Sequence, residues 1–253
     1  MLLTALFFAT TTGITSSNDG SHYALTRTLV ENRAFALRSF DDYAEGNDVA
    51  IRDDILYSDR PPGTAVIAAT FHAIAPLLPE PLPLLPSKHN PENPRLVYVM
   101  MLPALASAAT AVLLFLLLRH LHLSAAAALL ATLSLRLATA HWKFSGVHFS
   151  HALSGFCVMA SVILALWLAS SQRRKSAWWY GLLGLLLGLS VLVEYSNGLL
   201  VVLVSLLTVA TIRPFSAKRL TTTMLPFMLG GGLFAAKGAH VPTAVIAEGA
   251  DGA

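Results

Sequence analysis

Charge is what this sequence has least of. Of 253 residues only 12% are Asp, Glu, Lys or Arg, against about 25% in a typical soluble domain. The apolar share is 55%. That imbalance excludes an ordinary water-soluble enzyme, a disordered chain and a nucleic-acid-binding domain. Cysteine is nearly absent as well. Cys157 stands alone in an apolar run, so no intrachain disulfide and no Cys-x-x-Cys metal site can form. The net charge of +3 says little about partners, because the charges are sorted along the chain. Eleven of the fourteen acids lie between Asp19 and Glu92, and only Glu194 lies between Arg95 and Lys237.

What is present is long apolar sequence. A bilayer-spanning helix needs about 20 mostly apolar residues, and the expected crossings are 1–15, 96–118, 124–140, 150–169, 177–193, 198–212 and 222–236. The fold class is therefore all-α: a polytopic helical membrane protein with about seven transmembrane helices and a large first outer loop carrying interfacial helices. The organisation reads as a first transmembrane helix over 1–15, an outer loop over 16–95, a transmembrane bundle over 96–236 and an irregular tail over 237–253. The start has no basic n-region and no clear cleavage site before Ser16–Ser17, so it reads as a membrane helix and not as a signal peptide.

Segment 64–79 is apolar but carries Pro76 and Pro79, and Pro81, Pro83, Pro86, Pro91 and Pro94 follow. Proline lacks the amide donor and clashes with the preceding turn, so 64–79 is expected to lie at the interface or re-enter. Basic residues favour the cytoplasmic side. With the acidic loop outside, the clusters Arg173–Lys175 and Arg213–Arg219 fall inside, and the N-terminus is in and the C-terminus out. Arg136 and Lys143 then remain near the outer surface, against the rule. Residues 16–62, with nine acids against five bases, form an acidic outer face.

Four groups of residues carry the chemistry. Ser-Asn-Asp-Gly-Ser-His-Tyr-Ala-Leu at 17–25 opens an amphipathic helix, with apolar positions at 25, 29, 30 and 34 over Tyr23–Leu37. Asp19 there suits an N-cap as well as a general base. Tyr-Ser-Asp-Arg-Pro-Pro-Gly at 57–63 presents Arg60 on a stiff turn, where a guanidinium suits a phosphate or pairs with Asp59. His148 and His151 are spaced i, i+3 on one helix face. No third ligand is visible, so no metal site is expected. Glu194, in Val-Glu-Tyr-Ser-Asn-Gly, is either a functional acid at membrane depth or a solvated turn residue.

Taken together, Asn-Asp-Gly-Ser-His-Tyr-Ala-Leu, then Tyr-Ser-Asp-Arg-Pro-Pro-Gly-Thr-Ala, then Phe-Ser-His-Ala-Leu at 149–153 and Gly-Leu-Ser-Val-Leu-Val-Glu-Tyr at 188–195 resemble the GT-C type membrane glycosyltransferases. These use polyprenyl-phosphate-linked sugars and include the protein mannosyltransferase and aminoarabinose transferase relatives. The resemblance implies transfer of a sugar from a lipid phosphate donor to a lipid, glycan or protein acceptor on the outer face of the cell membrane. It implies Asp19 at the catalytic centre and Arg60 on the donor phosphate. A departing lipid phosphate needs cations, so Arg136 and Lys143, the exceptions to the charge rule, are further candidates to bind it. His22, Tyr23, Asp59, His148, His151 and Glu194 are further candidate site residues. No cofactor is indicated; a divalent metal is compatible with the reaction but not indicated, and no nucleic acid is expected. Relatives of this kind are about twice as long, and the resemblance implies a chain truncated at its C-terminus. A transporter or flippase of a lipid-linked substrate, or a non-catalytic membrane fragment, is the alternative. Matching pairs of broken helices, which mark many transporters, are missing.

Overall fold

The computed structural model describes residues 2–79, 95–170, 176–210, 221, 224–225, 227–229 and 245–246. The basic clusters 173–175 and 213–219, the proline-rich stretch 81–94, the Gly230–Gly232 run and most of the tail lie outside them. The described residues are mostly helical, and fall into two units. The first comprises 1–105, 142–150 and 242–253, and the second 106–141 and 151–241.

In the first unit, α1 (Leu2–Ala9) is followed by an extended stretch pinned at Thr12, whose amide donates to the Gly146 carbonyl at 2.9 Å. Helix α2 (Ser17–Arg27) runs on into a single π-helical turn, Thr28–Asn32, which ends at Arg33 in the left-handed region with φ 52°. The one amphipathic helix expected over Tyr23–Leu37 is therefore two pieces, and the chain turns back through the 3-10 segment Arg38–Ala44. Gly20 of α2 lies against the Tyr43 carbonyl so closely that a Cβ would overlap it. Ala24, Leu25, Leu37 and Ala65 form the core, with Leu29, Phe40, Tyr43, Val49 and Leu56 packed around it.

The all-α expectation needs one correction. Strands β1 (Val49–Arg52) and β2 (Ile55–Ser58) form an antiparallel hairpin in the loop, and β3 (Val245–Ile246) pairs with β1 on its other side. The turn residues Asp53 and Asp54 both have positive φ, 52° and 60°. That is the geometry of the tight hairpin turn whose twist matches its strands. After it, α3 (Gly63–Ile74) starts directly behind Pro61–Pro62 and buries Thr64, Ala65, Ala68 and His72. Its other side exposes Val66 and Ile74. Helix α4 (Arg95–Val99) and the start of α5 (Met101–His120) complete this unit, with α7 (Ala140–Ser145) placed before the buried Val147–His148.

The second unit contains the rest of α5, then α6 (Ala125–Leu137), α8 (Ser150–Ser170) from His151 onward, α9 (Ala177–Val193) and α10 (Gly198–Ala210). Ala165, Leu168, Leu183, Leu187, Val204 and Phe227 form its core. Large apolar side chains also point outward: Leu116, Leu130, Leu199, Leu203 and Leu206 are more than half exposed. Water disfavours that many apolar surfaces on one set of helices, whereas a bilayer accepts them. Among the described residues, two helical stretches, Arg95–His120 (α4 with α5) and Ser150–Ser170 (α8), are long and apolar enough to cross a membrane; the other apolar helices described are shorter.

Candidate active site

The first turn of α2 is built as a capping box. Ser16, with extended backbone, is the cap residue, and Asp19 sits at the third helical position and reaches back. Asp19 is thus not the N-cap itself. Its Oδ1 accepts from the Ser16 amide at 2.7 Å and from the Ser16 hydroxyl at 2.5 Å. Its Oδ2 accepts from the Thr15 amide at 2.6 Å and the Thr15 hydroxyl at 3.1 Å. The side chain is fully buried. A carboxylate at a helix N-terminus with four donors is strongly held.

Arg60 meets the same turn from the other side. The Asn18 side-chain amide lies over the Arg60 guanidinium, one of its atoms 2.9 to 3.1 Å from all three nitrogens, with its oxygen set toward the positive charge. Asp48 Oδ1 is ion-paired to an Arg60 Nη, and Asp59 Oδ1 lies 3.1 Å from its Nε. The backbone is fixed too, since the Arg60 amide donates to Ser58 Oγ at 3.2 Å. Ser58 shares its hydroxyl with Ser21 at 2.7 Å, and Ser21 donates to the Asp48 carbonyl at 2.7 Å. Ser17 donates to Asp48 Oδ2. Partial burial pushes the Asp59 carboxyl up, against a lowering by its own backbone amide. Asp48, Asn18 and Ser17 were not legible as site residues. The only sequence signal was the density of acids between residues 41 and 59.

Behind this turn lies a buried ring cluster. Tyr23 packs edge-on to Tyr43, His72 and His148, with ring centroids 5.2, 6.1 and 6.3 Å away. His22 meets His148 at 6.3 Å. Thr26 donates its hydroxyl hydrogen to the His22 carbonyl at 2.8 Å. The 3.4 Å contact between Thr26 Oγ1 and His148 Nε2 is therefore a donation from the ring, which leaves His148 Nδ1 as an acceptor with no partner among the described residues. Burial drives the His148 pKa down to about 4. Burial also raises the Tyr23 phenol and lowers His72, the latter opposed by Glu31 at 2.9 Å from Nε2. For Glu31, burial acts upward, but the bonds from Arg27 and His72 prevail and hold its carboxyl below the usual range.

The remaining candidates are spread out. Lys143 is exposed on α7 in the first unit. Arg136, His151 and Glu194 belong to the second unit. The Arg136 guanidinium is buried and donates to His141 Nδ1 at 3.3 Å. Burial, and then the Arg136 charge, lower the His141 pKa. His151 lies 3.6 Å from Glu194, and both are partly exposed. The i, i+3 histidines thus differ in setting, since His148 is fully buried. Among the described residues, no three His, Cys, Asp or Glu side chains are grouped as metal ligands.

The geometry concentrates a held carboxylate, a triply contacted guanidinium and neighbouring hydroxyls in the first unit. Comparison with known proteins bears on the helices that follow. The family model described as Dolichyl-phosphate-mannose-protein mannosyltransferase matches residues 85–229, more than half of the chain. The matched segment starts beyond Asp19 and Arg60. No curated protein and no solved structure matches the chain.

Proposed function

The chain belongs to the dolichyl-phosphate-mannose-protein mannosyltransferase family, and on that premise we propose that it transfers a sugar from a polyprenyl-phosphate donor to an acceptor hydroxyl at the non-cytoplasmic face of the cell membrane. The donor in the family's name makes mannose the first sugar to test. The observation that carries the assignment of the site is the contact of Arg60 with Asn18, which sets a cation one residue from Asp19.

In this reading the acceptor oxygen attacks the anomeric carbon. The bond from that carbon to the phosphate oxygen breaks, and the lipid phosphate leaves with the electron pair. Arg60 stabilises that leaving phosphate, since a guanidinium pairs two of its oxygens at once. Lys143 is a further cation for it. Asp19 takes the acceptor proton, which requires its carboxylate to exchange the Ser16 and Thr15 donors for the acceptor hydroxyl. His22, Tyr23 and Asp59 shape the surroundings of these two groups.

The same reading has seven crossings. Helix α3 lies at the interface, its outward face free of charge, and the hairpin is on the outer side. A cysteine replacing Asp53, whose side chain is 87% exposed, in a Cys157→Ser background should react with an impermeant thiol reagent from outside. Protection there would reverse the sidedness.

The decisive experiment measures sugar transfer from a polyprenyl-phosphate mannose donor in proteoliposomes, for wild type, Arg60→Lys and Arg60→Ala. Arg60→Ala should raise the donor KM by about tenfold or more, the scale of one lost charge-assisted contact. Arg60→Lys should fall between. No consumption of the lipid-linked sugar by wild type, or an Arg60→Ala enzyme indistinguishable from it, overturns the assignment.

A further inference from the structure

Asp48 is attached at three atoms at once. One carboxylate oxygen pairs with Arg60, the other accepts from Ser17 Oγ, and its main-chain carbonyl accepts from Ser21 Oγ at 2.7 Å and from the Asp59 amide at 3.4 Å. Ser17 and Ser21 lie on α2, on either side of Asp19. Asp48 is therefore a tie between the Arg60 guanidinium and the Asp19 turn, beside the direct contact of Arg60 with Asn18. Its backbone is left-handed, with φ 53°, a region that Asp, Asn and Gly adopt far more readily than other residues.

A free arginine side chain samples many rotamers, and a phosphate would have to remove that freedom on binding. Held by Asp48, Asp59 and Asn18, the guanidinium has that ordering already in place. With its side chain 30% exposed, it still presents part of its surface. We infer that Asp48 is a positioning residue: it fixes the Arg60 guanidinium for a lipid phosphate, acting through the geometry of its hydrogen bonds and not by touching the donor. The inference rests on the phosphate-binding role proposed above for Arg60.

Two substitutions separate the side chain from the backbone. Asp48→Asn keeps the left-handed preference and an acceptor for Arg60, and removes a carboxylate that repels phosphate. Asp48→Gly keeps the backbone and removes the side chain. In nanodiscs, polyprenyl phosphate binding and sugar transfer are measured for both, beside Arg60→Ala and Ser17→Ala. Asp48→Gly should weaken polyprenyl phosphate binding and raise the donor KM by about tenfold with kcat within about twofold, because ground-state placement of the phosphate is lost while the reacting groups remain. Asp48→Asn should bind within about twofold of wild type or more tightly, the isosteric acceptor being retained. Ser17→Ala, which unties the other Asp48 oxygen, should raise the donor KM in the same direction, and serves alone if Asp48→Gly does not fold.

Unchanged donor KM and phosphate binding in both Asp48→Gly and Ser17→Ala, with Arg60→Ala impaired, overturns the inference and leaves the role of Arg60 standing. Wild-type binding by Arg60→Ala as well removes the premise instead. A loss of kcat in Asp48→Asn and Asp48→Gly alike, at constant KM, places Asp48 in the chemical step and overturns positioning.

Discussion

Ser16 grips the Asp19 carboxylate twice, through its amide at 2.7 Å and its hydroxyl at 2.5 Å. The group assigned as base is thus also the member of the capping box that holds the first turn of α2. The two duties separate by mutation. Ser16→Ala removes one donor and leaves the carboxylate, so it should lower stability by about 1 kcal/mol and leave transfer within about threefold of wild type. Asp19→Asn sets an amide N–H against donors and should cost about 1–3 kcal/mol, and with the base gone transfer should fall by about 10²-fold or more. Thermal unfolding in detergent and the transfer assay, run on the same preparations, read both effects. Equal transfer by Asp19→Asn and Ser16→Ala would leave Asp19 as a cap alone.

How much of this could be read from the sequence differs by residue. The Ser-Asn-Asp-Gly run announced a helix start, and the Pro-Pro pair announced a stiff turn at Arg60, because both signals are local. The hairpin was hidden. Its strands have four residues each, too few for alternation to register, and its turn is Asp53–Asp54 in place of the usual Asn-Gly. The link from Asp48 to Arg60, Ser17 and Ser21 spans 12 to 31 residues of sequence and depends on that hairpin, so no periodicity could show it. In the second unit, the apolar run 124–140 suggested one crossing. Helix α6 stops at Leu137, and α7 begins at Ala140 after Thr139 turns its hydroxyl onto the Leu135 carbonyl at 2.5 Å. Such side-chain bonds compete with the helix, and hydropathy does not register them.

His148 should make the first unit sensitive to acid. Its folded pKa is about 4 and its unfolded value about 6.5. The unfolded chain therefore binds the proton first as pH falls, and the stability is complete above about 6.5 and lost progressively toward pH 4. The size is on the order of 3 kcal/mol, from 1.36 kcal/mol per unit. The lowered His72 and Glu31 act with the same sign, Glu31 at lower pH. The unfolding midpoint should thus drop between pH 7 and pH 4.5, and His148→Gln should flatten that drop. A His148→Gln protein with the wild-type slope would assign the effect to other groups.

Gly20 has no room for a side chain, because the Tyr43 carbonyl occupies the position of a Cβ. Gly20→Ala improves the intrinsic helix propensity of α2 by about 1 kcal/mol, yet it must push back a backbone segment and not a flexible side chain. Overpacking of that kind costs about 1–3 kcal/mol. The displaced segment carries Tyr43, whose hydroxyl accepts from Arg27 at 2.9 Å, and Phe40, whose ring lies 4.1 Å from the Arg27 guanidinium. The net expectation is a lower unfolding midpoint for Gly20→Ala together with faster proteolysis in residues 38–44. A raised midpoint would show that the segment yields freely.

The pair His151–Glu194 tests whether the lone acid of the later helices is structural. Its 3.6 Å separation and side-chain exposures of 45% and 27% describe a partly solvated contact, ionic only when His151 carries a proton, and even as an ion pair such a contact contributes about 0–1 kcal/mol. A structural role should therefore be small and screened by salt. Glu194→Gln keeps the shape and removes the charge, so the unfolding midpoint should move by less than the equivalent of about 1 kcal/mol. Nearby Asn197 is the firmer tie, its amide donating to Ser154 Oγ and to the Ser190 carbonyl, both at 2.9 Å. Asn197→Ala removes both bonds, while the Ser190 carbonyl keeps the Glu194 amide at 2.9 Å, and should cost about 1–2 kcal/mol. Side-by-side melts of the two variants check the ranking. If Glu194→Gln abolishes transfer at an unchanged midpoint, the acid acts in the reaction; if it melts as early as Asn197→Ala, the pair is worth more than its exposure allows.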